Sequence, residues 1–276
     1  MIRTGEDSVS ETRSSELSGQ ETNETMEALQ LAGQIIMENG GETYRAEETV
    51  RRMGEGFGLS QVESFAVPSG LFISYRDGEK TISTSVKRVH SGGTNLFRVD
   101  EVNRVSRKAA AGQTTSAEAL KHLRAIARRQ GPFSGWRSLL SAALCAGGFA
   151  LLFGGGAAEI AVSAAAAALV QALSVVIARV HMSWMASNIL GGLLTALLPG
   201  LAVLFLPQLH TEAAIAGALM PLVPGIAMTN VVQDTMRGDM LSGLSHGVQA
   251  LLTACLIAGG ALLSPAILRL LTGGGV

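Results

Sequence analysis

Charge is nearly missing from the second half of this chain: of 43 Asp, Glu, Lys and Arg residues, 35 lie in residues 1–131 and only 8 in residues 132–276. So long a stretch with so little charge excludes an ordinary water-soluble domain there and reads as several membrane helices. Cysteine is also scarce. Cys145 and Cys255 are the only two, both within apolar stretches and without a CxxC, which excludes a disulfide framework and gives no support for a thiolate metal site. The first 24 residues contain no apolar h-region and are rich in Ser, Thr and Glu, so residues 1–24 are expected to be a disordered leader without a signal peptide. A field of one sign is lacking as well. Residues 1–131 carry 17 basic against 18 acidic side chains, so Arg51, Arg52, Lys87, Arg88, Arg104, Arg107 and Lys108 do not add up to a nucleic-acid surface. HExxH, GxSxG, Walker A and GxGxxG are all absent, and the five histidines have no ligand spacing. No catalytic residue, metal or cofactor is therefore expected.

What is present first is a pattern of α+β type over residues 25–131. Met26, Leu29, Leu31, Ala32, Ile35 and Ile36 recur at helical spacing, and Asn39-Gly40-Gly41 ends that helix. A second helix is expected over 43–57, strands over 62–67, 71–75 and 81–89 with a hairpin turn at Asp77-Gly78, and two further helices over 95–111 and 116–129. Glu42, Tyr44 and Arg45 form a polar-aromatic cluster at the start of the second helix; they cap it or pair with neighbours, or contribute to a ligand site.

A membrane-spanning helix needs about 20 apolar residues to cross roughly 30 Å of hydrocarbon. Five segments fit in residues 132–276: 136–155, 158–178, 184–206, 213–232 and 244–263, the last able to run on toward Leu271. Basic residues precede the first span, Arg179 lies between the second and third, and Arg237 between the fourth and fifth. The other two connections hold only Glu159, His210 and Glu212. This alternation places the N-terminal domain in the cytoplasm and the C-terminus outside, with Arg269 as a mild dissent. Runs such as 164–168 and the pair Gly243/Gly247 supply the small residues that let helices approach closely in lipid.

The segment 220–243 concentrates the features that could carry chemistry. Pro221 and Pro224 lack an N–H and are expected to free the carbonyls of Gly217 and Met220, with Gly225 loosening the chain further. A helix broken there could present carbonyls to a cation and N–H groups to a carboxylate, as in discontinuous transporter helices, or be a simple kink. Pro199 would free the carbonyl of Thr195 in the same way. Asn188 and Asn230 lie near one end of their spans, and Gln171, Ser174, His246 and Gln249 add polar groups that should face the bundle interior. Asp234 and Asp239 could carry protons or sit with Arg237 in a hydrated loop. An intramembrane aspartyl protease is disfavoured, because Met236-Arg237-Gly238-Asp239 lacks the first glycine of GxGD and both acids share one short connection.

Three stretches, LAGQIIMENGGETYRAEETVRRMGEGFGL at 31–59, VNRVSR at 102–107 and LVPGIAMTNVVQDTMRGDMLSG at 222–243, resemble the threonine/serine exporter family, and within it the larger component of a two-subunit form. The GxxTYRxEET and LVPGI…D…GD..SG patterns are specific in combination. The resemblance implies an α-helical membrane protein: a cytoplasmic α+β domain followed by a five-span bundle in a bacterial inner membrane. It further implies proton-coupled export of a small carboxylate metabolite, threonine or serine in some members and succinate-type dicarboxylates in others. Single-chain members carry a second hydrophobic half, so a separate small membrane subunit or a homo-oligomer is expected alongside lipid. On the residues themselves, Asn188, Thr195, Pro221, Pro224, Gly225 and Asn230 are the candidate substrate ligands, and Asp234 and Asp239 the candidate proton carriers. Glu42, Tyr44 and Arg45 are candidates in the N-terminal domain. A non-transporting, membrane-anchored regulatory or assembly protein is the alternative class.

Overall fold

The computed structural model describes residues 5–77, 81–90, 93–129, 135–179 and 182–272, with side chains left out at 5–20, 77, 81–82 and 178–179. Ten α-helices and three strands are present among them: α1 Gly5–Glu38, α2 Thr43–Gly56, β1 Ser60–Val67, β2 Gly70–Asp77, β3 Thr81–Arg88, α3 Leu96–Ala110, α4 Ser116–Arg128, α5 Trp136–Leu152, α6 Ala157–Arg179, α7 Trp184–Ala202, α8 Thr211–Leu219, α9 Gly225–Met236 and α10 Met240–Leu271. A single 3₁₀ turn, Met220–Leu222, follows α8. The chain divides into two compact units, one of Met1–Gly131 with Thr229–His246, the other of Pro132–Met228 with Gly247–Val276. Residues 229–246, which hydropathy groups with the bundle, thus belong to the first unit.

In the first unit, apolar residues at helical spacing on α1 (Leu29, Ala32, Ile36), α2 (Ala46, Val50, Met53), α3 (Val99, Val102, Ala109) and α4 (Leu120, Leu123) close on the alternating residues Leu71, Ile73 and Tyr75 of β2. The sheet is an antiparallel meander in the order β1-β2-β3. Helix starts follow local chemistry. Thr115 accepts from the Glu118 N–H while the Glu118 carboxylate accepts from the Thr115 N–H, a capping box that fixes the first turn of α4. Asn95 accepts from the Arg98 N–H at the start of α3. Helix α1 begins at Gly5, inside the stretch whose composition suggests a disordered leader. The tip of the β2–β3 hairpin at 78–80 lies outside the described residues.

The second unit packs through small residues. A Cβ on Gly192 of α7 would lie 2.0 Å from the Ile257 carbonyl of α10, and one on Gly260 of α10 would lie 2.0 Å from the Ile189 carbonyl of α7. These two helices therefore cross backbone against backbone. Three helices, Ala157–Ile177, Trp184–Ala202 and Met240–Leu271, are long and apolar enough to cross a membrane, and a bent pair makes a fourth if it counts as one span. Helix α5 is apolar but has only 17 residues. The expected fourth span is that bent pair: Thr211–Leu222 and Gly225–Met236 meet at 58°.

The break corrects one expectation. The carbonyls of Gly217 and Met220 are not left open by Pro221 and Pro224, because the Met220 N–H donates to Gly217 O and the Val223 N–H to Met220 O. The helix end tightens into a 3₁₀ turn that takes up the carbonyls the prolines cannot reach.

Candidate functional site

Within the first unit, the turn between α1 and α2 meets the segment 229–246. Gly40, with φ +84°, ends α1 in the left-handed region and lets the Gly41 N–H reach Ile36 O at 2.9 Å. This turn presents the Gly40 carbonyl to the Asn230 side chain, whose Nδ2 donates to it at 3.3 Å. On α9, Asn230, Gln233 and Asp234 are spaced i, i+3 and i+4 and so share one face. Tyr44, at the start of α2, meets that face. Its hydroxyl is 3.5 Å from Gln233 Oε1, and the guanidinium of Arg237, just past α9, lies 3.5 Å from its ring centroid as a cation–π contact.

At the centre is Thr43. It is fully buried, and its Oγ1 lies 3.1 Å from Asp234 Oδ1 and 3.3 Å from Asp239 Oδ2. Asp234 is fully buried as well, with its other oxygen, Oδ2, 2.9 Å from His246 Nδ1. Asp239 occupies the position before α10 and accepts the Ser242 N–H on Oδ1 at 3.1 Å, so one oxygen caps the helix while the other faces Thr43. Ser242 is buried, and its own hydroxyl has no hydrogen-bond partner among the described residues. Glu47, one turn along α2 from Thr43, accepts the Ala66 N–H at 2.7 Å. Burial pushes its carboxyl above the ordinary carboxylate value; the Ala66 hydrogen bond opposes this, and the charges of Asp239 and then Asp234 add to it.

The arrangement sets one hydroxyl between two carboxylates. A threonine hydroxyl has one hydrogen and cannot donate to two carboxylates at once. Thr43 therefore donates to one carboxylate at a time, Asp234 Oδ1 at 3.1 Å or Asp239 Oδ2 at 3.3 Å, while His246 Nδ1 faces the other Asp234 oxygen at 2.9 Å. Among the described residues, no three His, Cys, Asp or Glu side chains are grouped to hold a metal ion.

Of the residues singled out from sequence, Asn230, Asp234, Asp239 and Tyr44 come together here. Glu42 and Arg45 pair with each other at 2.8 Å at the edge of the same turn, and Glu42 makes no side-chain capping bond. Asn188 and Thr195 belong to the second unit and are held by their own helix: Asn188 Nδ2 donates to Trp184 O at 2.8 Å, and the Thr195 hydroxyl contacts Gly191 O and Gly192 O at 3.0 and 2.9 Å. Pro221 lies in the 3₁₀ turn, Pro224 immediately precedes α9, and Gly225 is its first residue. Thr43 was missed. It stands within the GxxTYRxEET pattern but has no periodic signal linking it to acids some 190 residues away. By sequence alone His246 is a polar residue on a span, with nothing to pair it with Asp234. In the second unit Glu159 was also missed: it is buried and accepts the Gly156 and His210 N–H groups, each at 2.8 Å, tying the start of α6 to the connection before α8.

A family model described as "Putative threonine/serine exporter" matches residues 27–268. The "Probable threonine/serine exporter" of Mycobacterium tuberculosis is 22% identical over 228 residues, covering 82% of this chain and 43% of that protein. The "Probable succinate transporter subunit YjjP" of Escherichia coli K12 is 24% identical over 231 residues, covering 82% of this chain and 88% of that protein. The chain thus spans less than half the length of the mycobacterial relative. No solved structure matches it.

Proposed function

We propose, for a chain that belongs to the threonine/serine exporter family, that it is one component of a proton-gradient-coupled exporter of small carboxylate metabolites, threonine or serine first among them. The observation that carries the coupling is the single hydroxyl of Thr43 set between two carboxylates, with His246 behind one of them. A proton entering at Asp239 moves through Thr43 to Asp234 by exchange of hydrogen bonds, with no heavy atom displaced. Losing it leaves two carboxylates facing one donor, which weakens the hold of α2 on the 229–246 segment. Proton occupancy and helix position are thereby linked.

In this reading residues 25–131 are cytoplasmic, the bundle crosses a bacterial inner membrane five times with α5 and the bent pair each counted as a span, and the C-terminus lies outside. A separate small membrane subunit completes the transporter. The partial coverage of the mycobacterial relative, and the word "subunit" in the name of the E. coli one, support that partner. The E. coli name also favours a second substrate reading, a succinate-type dicarboxylate. The chain acts as a transporter component and not as an enzyme.

The test is pH-gradient-driven efflux of L-threonine and of succinate from membrane vesicles of cells expressing the chain with its native neighbours. Asp239→Asn and Asp234→Asn are each expected to reduce gradient-driven efflux at least about tenfold, and Thr43→Val, which keeps shape but removes the hydroxyl, to do likewise. Full efflux in both Asn variants would remove the acids from the mechanism.

A further inference from the structure

We infer that the first unit contains a second site, a groove between α2 and α3 that binds a small carboxylate apart from the Thr43–Asp234–Asp239 relay. It rests on the exporter reading for the identity of its ligand, but not for its existence. The cavity, about 240 Å³, is lined by Tyr44, Arg45, Glu48, Thr49 and Arg52 of α2 and by Asn103, Ser106 and Arg107 of α3. Drug-sized ligands occupy pockets of about 300–1,000 Å³, so its occupant is a small metabolite. The helices come closest farther along, where a Cβ on Gly56 would lie 2.2 Å from the Ala109 carbonyl.

Three observations give the groove its chemistry. Two of its arginines are already neutralised on their own helix, Arg45 by Glu42 and Arg52 by Glu48, whereas Arg107 has no ion-pair partner among the described residues. Its planar fork is the group that takes a carboxylate in bidentate fashion. Thr49 and Ser106 are only 4% and 5% exposed as whole residues, and both line the groove without being among the sealed, unpaired polar atoms, so their hydroxyls are open to an occupant of the groove. A guanidinium without an ion-pair partner beside two hydroxyls that line the same groove fits a ligand with one carboxylate and a second polar group, a description that covers a hydroxy-amino acid and a short dicarboxylate alike. Tyr44 ties the groove to the relay: one side of it lines the cavity, and its ring carries Arg237. An occupied groove is thereby positioned to report cytoplasmic metabolite to the proton-handling segment.

The experiment is equilibrium titration of the purified full chain in detergent, without a gradient, using L-threonine and succinate as probes. Saturable binding of at least one probe is expected, weakened about tenfold or more in Arg107→Ala, partly recovered in Arg107→Lys, and weakened several-fold in Ser106→Ala. Lys121→Ala, on α4, should bind as the unmodified chain does. Because Arg107 is exposed, its loss does not threaten folding. Unchanged binding in Arg107→Ala, or no binding of either probe, overturns the site. Loss of binding in Arg107→Ala supports it whether or not efflux is seen, so its failure is separable from failure of the exporter reading.

Discussion

The two units bury opposite kinds of side chain. In the first, large residues such as Leu29, Ile36, Met53 and Leu123 are wholly hidden, and ion pairs such as Arg51–Glu55 and Arg52–Glu48 lie on the surface. In the second, the hidden residues are Ala146, Ala150, Ala214, Ser163 and Thr195, while Leu152, Leu262 and Phe205 are 77%, 78% and 85% exposed. Water explains the first pattern, since removing large apolar surface from water drives folding at roughly 25 cal/mol per Å². It cannot explain the second. In hydrocarbon a leucine gains nothing by turning inward, and small residues hold helices together by letting backbones touch. The contrast is the one expected between a core of large apolar side chains closed against water and a bundle whose outer face meets hydrocarbon.

Breaking the comparison is most direct at the α7–α10 crossing. Gly260→Leu should have the largest effect, loss of the folded bundle seen as aggregation on detergent size exclusion, because the new side chain would start 2.0 Å from a carbonyl. Leu262→Ala, two residues away and exposed, should leave the elution profile unchanged; the reverse order of severity would mean that α10 does not face lipid as described. Next in size is Leu123→Ala in the first unit. Deleting a fully buried leucine costs about 2–5 kcal/mol, readable as a lower denaturation midpoint for that unit, and a change under about 0.5 kcal/mol would argue against a water-type core.

The smallest expected effect sharpens the comparison at Glu47. Its folded pKa is raised, chiefly by burial, so the folded state binds the proton more tightly than the unfolded chain. That contribution is whole below the ordinary carboxylate value and is lost as pH rises through the raised folded value. Stability of the first unit should therefore decline across that window, and Glu47→Gln, which keeps an acceptor for the Ala66 N–H, should flatten the decline in melts recorded from about pH 4 to pH 8. A slope unchanged by the substitution would place the titration on another group.

Much of the first unit was legible in sequence. The expected helices 43–57, 95–111 and 116–129 differ from α2, α3 and α4 by a residue or so at each end, and the three strands stand where alternation of apolar residues placed them. Local periodicity and caps carry that information. The span count was harder, because hydropathy reads 213–232 as one apolar stretch and is blind to the 3₁₀ turn that bends it. The site was legible only in its parts: Asp234, Asp239 and Asn230 stood out as polar residues in an apolar setting, whereas Thr43 is an ordinary helix-start threonine until the chain is folded.

Composition by itself determined that this protein divides into a charged half and an apolar half, because where ionised side chains accumulate decides which stretches can leave water. It also determined most of the local elements, since helix and strand each impose their own spacing on apolar residues. Only the tertiary structure decided that residues 229–246 turn away from the bundle's composition to join the first unit, and that one buried hydroxyl lies between two acids. Hydrogen bonds between residues nearly two hundred positions apart leave no repeat in the chain, so nothing short of the fold could bring them together.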